Sequence, residues 1–187
     1  MTRFPNLSAV LDANVLYPAP LRDFILNLAD VYLFEPKWTE EIQEEWIKNL
    51  LLKRIDIKKD SLTKTKYAMN SAFPEANITG YDGIIGTLLL PDKDDRHVLA
   101  AAISANANVI VTFNLKHFPF PYLKTFGIEA HHPDSFILSL INHDKQSSLL
   151  AFNNLVKSLK NPPKSKNEVF QALARCGLKD CLKKLQE

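Results

Sequence analysis

Short apolar runs and amphipathic segments alternate along this chain in the order strand, helix, strand, two helices and strand. The first run contains Val10 and Leu11, whose side chains favour a buried strand. A continuous apolar run at 109–112 is typical of a strand that is buried on both faces of a parallel sheet. Shorter strands are predicted at 31–34 and 128–130. The short connections between these elements favour an α/β fold, in which helices cover a parallel sheet.

Apolar positions that recur at every third or fourth residue predict the helices of this fold. Thr39 is a suitable N-cap for one of them, and the two glutamates that follow it suit the positive first turn of a helix. After residue 132 the pattern is helical only. Helices are predicted at 21–29, 39–54, 58–73, 82–85, within 92–102, at 133–140 and 145–160, with one or two more within 166–186.

The composition is that of an ordinary soluble domain, with 46% hydrophobic and 24% charged residues. Charge is unevenly distributed: residues 145–187 contain nine Lys or Arg and three Asp or Glu, a net charge of +6, so the preceding residues carry −4. Cys176 and Cys181 lie five residues apart, which suits neither a disulfide nor a metal motif. No signal peptide and no membrane-spanning run are recognisable, so we expect a protein of the reducing cytoplasm.

Polar residues follow two of the predicted strands at their carboxyl ends, where ligands bind in open α/β sheets. Asp12 comes directly after Val10 and Leu11, and burial of a lone carboxylate is costly unless it is paired or bound to a metal. Asn114 follows the strand at 109–112 in the same way. Asp12 is therefore a candidate site residue. The alternative is that its side chain caps the next helix or begins a turn.

Two further acids are expected to point inward from helices. On a helical wheel centred on Ile42, Trp46 lies at about +40° and Glu45 at about −60°, within the arc that faces the core or a cleft. Glu44 lies at about 200°, on the solvent side. Asp95 precedes two apolar helix positions by three and four residues and should share their inward face, whereas the aspartates just before it suit the helix N-terminus.

Asp12, Glu45 and Asp95 are thus expected to converge near Asn114. Three carboxylates about 5 Å apart would repel one another by roughly 3 kcal/mol per pair at an effective dielectric constant of 20. A divalent cation removes this repulsion, and oxygen ligands favour Mg²⁺ or Mn²⁺ over zinc. Such a metal lowers the pKa of a bound water and stabilises charge on a phosphodiester, so the residues predict a metal-dependent phosphoester site.

Four segments resemble, in order, the successive motifs of PIN-domain ribonucleases, and most closely those of the VapC toxins of bacterial toxin–antitoxin pairs. They are residues 11–16 (LDANVL), 39–46 (TEEIQEEW), 92–102 (DKDDRHVLAAA) and 109–115 (VIVTFNL). The resemblance implies a PIN-like nuclease domain over 1–132, built as a three-layer α/β/α sandwich with a central parallel sheet. Residues 133–187 are similar to the helical C-terminal extension that some of these toxins carry.

The resemblance also implies Mg²⁺- or Mn²⁺-dependent endonucleolytic cleavage of RNA, inhibition of translation, and an antitoxin that blocks the site; a homodimer is compatible with it. The family's acids map by motif onto Asp12, Glu45 and Asp95. Where the family often has an acid after the last strand, this sequence has Asn114, and Asp94 is an alternative for the missing carboxylate. If the helix is rotated relative to the wheel, one of the glutamates at 41 and 44 replaces Glu45.

Roles follow from this mapping as hypotheses. Asp12 and Asp95 bind the metal, and Glu45 binds it through a water or helps to deprotonate the attacking water. Supporting hydrogen bonds and phosphate contacts are assigned to Asn14, Asn114, Thr112, Arg96, Lys116 and Arg22. For Arg22 an ordinary ion pair with a neighbouring acid is favoured instead, and His97 is expected to be a surface or packing residue.

Two other functions are alternatives to a nuclease. In a haloacid-dehalogenase-like phosphatase Asp12 would be the nucleophile, but that chemistry requires a second acid two residues later, where this chain has Asn14. A catalytically inactive PIN fold would serve as an RNA-binding module or scaffold, but it has no reason to keep three acids that repel one another. The basic extension fits either an RNA contact or an antitoxin interface.

Overall fold

The computed structural model describes residues 7–187. Its four strands are β1 Ser8–Leu11, β2 Glu35–Lys37, β3 Val109–Val111 and β4 Glu129–His131. They form a central parallel sheet in the order β2-β1-β3-β4, and helices flank this sheet as predicted for a three-layer α/β/α fold.

Helices occupy each region in which the sequence predicts one. Short 3₁₀ turns are added at Pro74–Ala76, Leu115–His117 and Lys124–Phe126. The helices are α1 Ala13–Leu16, α2 Ala19–Asp30, α3 Glu40–Lys53, α4 Lys59–Ala72, α5 Asp82–Ile85, α6 Arg96–Ser104, α7 Phe120–Leu123, α8 Pro133–His143, α9 Lys145–Ser158, α10 Lys166–Arg175 and α11 Asp180–Gln186.

The chain changes direction across the sheet between β1 and β3. From β1 it passes through α2 to β2 on one side, and it later returns to β3 on the other side. Leu11 lies opposite Val111 in the register of this pair, and the backbone N–H of Asp12 donates to the carbonyl of Val111 at 3.1 Å. The carboxyl ends of β1 and β3 therefore adjoin at the switch point, which is where open α/β sheets bind ligands.

The prediction of the second strand at 31–34 is wrong by a few residues. Val31 is the C-cap of α2, and Tyr32 takes a left-handed conformation with φ of 63°, so the chain is still turning in this segment. The apolar side chains there pack into the core from an irregular connection. The strand forms instead at Glu35–Lys37, on the edge of the sheet, where the missing N–H of Pro36 costs little.

The extension after β4 shares the core of the rest of the chain. Helix α9 lies along α2, and the rings of Phe24 and Phe152 meet edge to face with centroids 6.0 Å apart. Phe34 and Phe136 meet in the same way at 5.0 Å. The extension therefore covers apolar side chains of the sheet domain.

Cys176 and Cys181 are free thiols, as the sequence predicts. Nowhere in the described part of the chain does a helix combine the length and the apolar character that a bilayer span requires.

Candidate active site

Asp12 stands where β1 ends, and its carboxylate is almost fully buried, at 3% exposure. The residue occupies the N-cap position of α1, but its side chain makes no capping hydrogen bond. Its Oδ2 instead accepts hydrogen bonds of 2.6 Å from the Asn14 amide and 2.6 Å from the Thr112 hydroxyl. The alternative that Asp12 is a helix cap is therefore wrong for its side chain.

Asn14 and Thr112 hold Asp12 through a short network that joins β1 to β3. The Thr112 hydroxyl oxygen accepts a hydrogen bond from the backbone N–H of Asn114 at 3.0 Å, while its O–H donates to Asp12. The Asn14 side-chain oxygen accepts from the N–H of Phe113 at 3.1 Å, which turns the amide nitrogen towards Asp12. The orientation of this carboxylate is fixed by hydrogen bonds across the switch point.

The electrostatics of Asp12 show that Asp95 and Glu45 lie close by. Burial, which is the main cause, raises the pKa of Asp12 to about 6, although the hydrogen bond from Thr112 opposes the shift. The negative fields of Asp95 and Glu45 raise this pKa further. Of the three acids that the sequence predicts to converge, Asp95 and Glu45 therefore both act on Asp12, and Glu45 also acts on Asp95.

Asp95 is the N-cap residue of α6, which begins at Arg96. It therefore directly precedes the helix whose inward face it is predicted to share. Its side chain does not cap the helix; its Oδ2 lies 2.6 Å from Nδ1 of His117. Burial raises the pKa of Asp95, and the hydrogen bond with His117 lowers it, with burial prevailing.

His117 and Asp92 are two residues of this site that the sequence did not reveal. The 3₁₀ turn after β3 brings the ring of His117 back over the strand end, where its Nδ1 also lies 3.6 Å from Oδ2 of Asp92. One ligand atom from each of Asp92, Asp95 and His117 lies within 4.8 Å of the others. The available signal was a histidine three residues after Asn114, in a segment that leaves the carboxyl end of a strand.

Glu45 reaches the site from α3. The helix begins where the Thr39 hydroxyl accepts the N–H of Ile42 at 3.1 Å, and the buried ring of Trp46 fixes its inward face. The side chain of Glu45 is 45% exposed and lies 3.6 Å from Nε2 of His97. Glu41 and Glu44 line the same groove as Glu45, although the wheel places Glu44 on the solvent side. Glu45 differs from them because it also lines a second groove and because its negative field raises the pKa of Asp12.

His97 lies beside Glu41 and Glu45 and is only 7% exposed. Of the two positions expected for it, packing and surface, it therefore takes the packing position. Its Nδ1 lies 3.7 Å from Glu41, while its Nε2 faces Glu45. Burial lowers the pKa of His97, but the contacts with Glu45 and Glu41 and the field of Asp12 outweigh it and raise the pKa above its usual value. When protonated, His97 partly compensates the negative charge of these acids.

Two grooves meet at Glu45. The larger, about 950 Å³ in volume, runs between α3 and α4 and is also lined by Asp94, Asp95 and His97. The smaller, about 230 Å³, shares Glu45 and Asn49 with the larger and is also lined by Asn14 and Tyr17. Glu45 therefore borders two adjoining grooves.

The remaining candidates differ in position. Asp94 is exposed in the larger groove, and its N–H donates to Oδ1 of Asp92 at 3.0 Å. Asn114 is half-buried beside Thr112, Lys116 is exposed one residue before His117, and Arg96 is half-buried in the first turn of α6.

Arg22 lies outside the site. Its guanidinium donates to the carbonyl of Leu16 at 3.0 Å and lies 4.8 Å from the centre of the Trp46 ring. Its Nε lies 3.6 Å from Asp23, which agrees with the ion pair that was favoured over a phosphate contact. Arg22 therefore stabilises the packing of α2 against α3 instead of meeting substrate.

A parallel four-stranded sheet with acids at its switch point is the arrangement of PIN-domain proteins. The chain belongs to this family, since the PIN-domain family model matches residues 8–116. The family model described as the VapC50 C-terminal domain matches residues 133–187, which begin at α8.

The chain is similar to a protein of Mycobacterium tuberculosis (strain ATCC 25618 / H37Rv) named "Putative ribonuclease VapC50", with 39% identity over 94 residues. The aligned part is 50% of this chain and 55% of that relative, so the chain spans about half the length of the protein it matches. No solved structure matches this chain.

Proposed function

We propose that this protein is an endoribonuclease that requires Mg²⁺ or Mn²⁺ and cleaves phosphodiester bonds of RNA. The observation that carries the proposal is the buried Asp12 at the switch point of a PIN domain, held by Asn14 and Thr112 and lying in the negative field of Asp95 and Glu45. A PIN fold used only as a scaffold would gain nothing from keeping an aspartate whose pKa is raised by burial and, further, by two neighbouring acids.

The donor set fits a divalent cation. Asp12 is buried with a raised pKa, so a positive charge beside it would relieve both its desolvation and its repulsion by Asp95. Asp12, Asp95 and Glu45 would hold the ion, with Asp92 and His117 as further donors next to Asp95. When bound, the metal would lower the pKa of a water and stabilise negative charge on the phosphate.

The remaining residues act on the acids and on the substrate. Asn14 and Thr112 keep Asp12 oriented through their 2.6 Å hydrogen bonds. Glu45, the most exposed of the three predicted acids, is positioned to accept a proton from an attacking water or to bind the metal through one. Arg96 and Lys116 are proposed to contact phosphates beside the site, as the sequence suggests.

Internal cleavage is favoured over removal of terminal nucleotides because two adjoining grooves share Glu45. An RNA strand that occupies both grooves would continue past the site. The name of the Mycobacterium tuberculosis relative describes that protein as a ribonuclease, and the matches over 8–116 and 133–187 support the same class for this chain.

We further propose that the protein is the toxin of a toxin–antitoxin pair, acting in the cytoplasm. Cleavage of RNA would inhibit translation, and a cognate antitoxin would block the site. Free thiols at Cys176 and Cys181 suit a reducing compartment. Induced expression should arrest growth, and the Asp95→Asn variant should abolish the arrest at equal protein level.

A circular single-stranded RNA tests the reaction itself, because it offers no end to an exonuclease. We expect purified protein with Mn²⁺ to linearise and then fragment the circle, and we expect EDTA or Asp95→Asn to prevent this. Degradation of linear RNA with an intact circle would contradict internal cleavage. Failure to cut either RNA would contradict the nuclease function.

A further inference from the structure

The larger groove extends well beyond the acids, along the facing sides of α3 and α4. Its two walls differ in charge. The α3 wall contains Glu41, Glu44 and Glu45 as well as Lys48, whereas the α4 wall contains Lys59, Lys66 and the exposed Tyr67 and no acid. An RNA strand in this groove would therefore meet lysines and an aromatic ring on the α4 wall. These residues of the α4 wall have no role in the chemistry described above.

We propose that this groove binds the unpaired RNA that flanks the cleaved bond, with Lys48 and Lys59 at phosphates and Tyr67 stacked on a base. The proposal rests on the proposed nuclease function and names the path and form of its substrate.

The spacing along α4 places the lining residues on one face. Lys59, Thr63 and Tyr67 follow one another at intervals of four residues, and Lys59 and Tyr67 are about 12 Å apart along the axis at 1.5 Å per residue. Other residues of α4, Leu62 and Met69, are buried and pack the helix against the domain. The groove face of α4 is therefore not needed to hold the helix on the domain.

Two of the lysines are available for an anion. Lys66 is paired with Glu40, whereas Lys48 and Lys59 take part in none of the ion pairs among residues 7–187. Lys48 lies three residues after Glu45 on α3, so its charge stands one turn from the acid site. Each such lysine that meets a phosphate of single-stranded RNA adds about 0.7 to the salt dependence of binding.

Tyr67 supplies the contact that distinguishes unpaired RNA from a duplex. Its side chain is 66% exposed in the groove wall. An aromatic ring in that position can stack on any base, but only on one that is not already paired and stacked within a helix. Lysines alone would not make this distinction.

The test measures binding of a fluorescently labelled single-stranded RNA in EDTA, so that cleavage does not interfere. Tyr67→Ala should weaken binding about tenfold, since a base–aromatic stack contributes on the order of 5- to 150-fold in affinity. Tyr67→Phe should restore it, because the ring is kept. The double variant Lys48→Gln/Lys59→Gln should reduce the slope of log K against log salt by about 1.4.

Lys64→Gln is the matched control, because Lys64 is an exposed lysine of the same helix that does not line the groove. It should bind RNA with nearly the same affinity as wild type, because the only change is the loss of one distant positive charge. A duplex of the same sequence should compete poorly with the single strand for wild-type protein. Thermal denaturation of each variant confirms that it is folded, which is expected for exposed positions.

The outcomes separate this proposal from the nuclease function. If wild-type protein cuts RNA and the groove variants bind and cut it equally well, the groove is not the RNA path, while the nuclease function stands. If the variants retain RNA binding but lose binding of a partner protein, the groove is a protein interface and the proposal is wrong. Equal competition by the duplex would overturn the assignment to unpaired RNA. If wild-type protein neither binds nor cuts RNA, the nuclease function itself fails.

Discussion

At the scale of single residues, Asp12 is the acid whose ionisation is opposed by burial and by two neighbouring carboxylates. It is held by Asn14 and Thr112 in a buried position where its negative charge is unfavourable without a cation. The folded protein therefore binds a proton at Asp12 more tightly than the unfolded chain does. Such a conflict between function and stability is common in sites that bind charged ligands.

The first prediction concerns Asp12→Asn without metal. Because the pKa of Asp12 is about 6 in the fold and 3.8 in the unfolded reference, its contribution to stability falls as pH rises from about 4 to 6. Above that range the charged form costs on the order of 2–3 kcal/mol, since one pKa unit corresponds to about 1.4 kcal/mol. In EDTA at pH 7.5 the variant should therefore melt about 4–12 °C higher than wild type.

Near pH 4 this gain should nearly vanish, because Asp12 is then protonated in the folded protein. The Asn amide oxygen can keep the hydrogen bonds from Asn14 and Thr112, so packing is not disturbed. Melting temperatures across the pH series give the answer. A variant that is less stable than wild type at every pH would show that the buried carboxylate is not under electrostatic strain.

The second prediction concerns His117, whose Nδ1 lies 2.6 Å from Asp95. His117→Ala removes a partner that orients this carboxylate, so cleavage should fall by about 10- to 100-fold and half-maximal activity should need more Mn²⁺. His131→Ala is the control, because His131 pairs with Glu129 at 2.9 Å on β4. Unchanged Mn²⁺ dependence in His117→Ala would exclude His117 from the site.

At the scale of elements, Asp134 of α8 joins the C-terminal helix to the rest of the extension. Its carboxylate accepts the backbone N–H groups of Asp180 and Cys181 at 3.0 and 2.9 Å, which open α11. Burial alone would raise the pKa of Asp134, but these hydrogen bonds with Cys181 and Asp180 prevail and lower it. The charged side chain of Asp134 thus caps α11, although Asp180 lies 46 residues later in the sequence, and this fixes α11 on α8.

The third prediction follows from this cap. Asp134→Asn should cost about 2 kcal/mol at pH 7, within the range for a hydrogen bond to a charged group. The depressed pKa means that the contribution is present above about pH 4 and is lost as pH falls through the folded-state value. Urea denaturation measures it, with the exposed Asp30→Asn as control. Equal stability of the two variants would show that the cap contributes nothing.

At the scale of the whole molecule, the sheet domain and the extension share one core. Phe24 and Phe34 of the sheet domain meet Phe152 and Phe136 of the extension edge to face. The extension therefore has a structural role whether or not it also contacts RNA or an antitoxin.

The fourth prediction is that a chain ending at residue 132 will not fold as a stable monomer. Removal of 133–187 exposes the face of α2 that α9 covers, and an apolar patch of this kind promotes aggregation. Size-exclusion chromatography and thermal denaturation of the truncated protein test this. A monomeric fragment with a cooperative transition would show that the extension is an appendage.

The order of strands and helices could be predicted because apolar periodicity is local information. Asp12 could be identified because a charged residue directly after a buried strand has no packing role. The position of β2 could not be predicted, because the apolar side chains at 31–34 are buried from an irregular connection just as they would be from a strand. His117 was missed because a 3₁₀ turn, which periodicity does not reveal, returns its ring to Asp95.

The most direct measurement is cleavage of single-stranded RNA by purified wild-type protein and Asp12→Asn, each with Mn²⁺, Mg²⁺ or EDTA. The account predicts cleavage by wild type with metal only, no cleavage by the folded variant, and a rise in melting temperature with Mn²⁺ that is large for wild type and small for the variant. Cleavage that persists in EDTA or in Asp12→Asn would contradict a metal-dependent reaction at this site. No cleavage and no thermal shift with either metal would contradict the nuclease account as a whole.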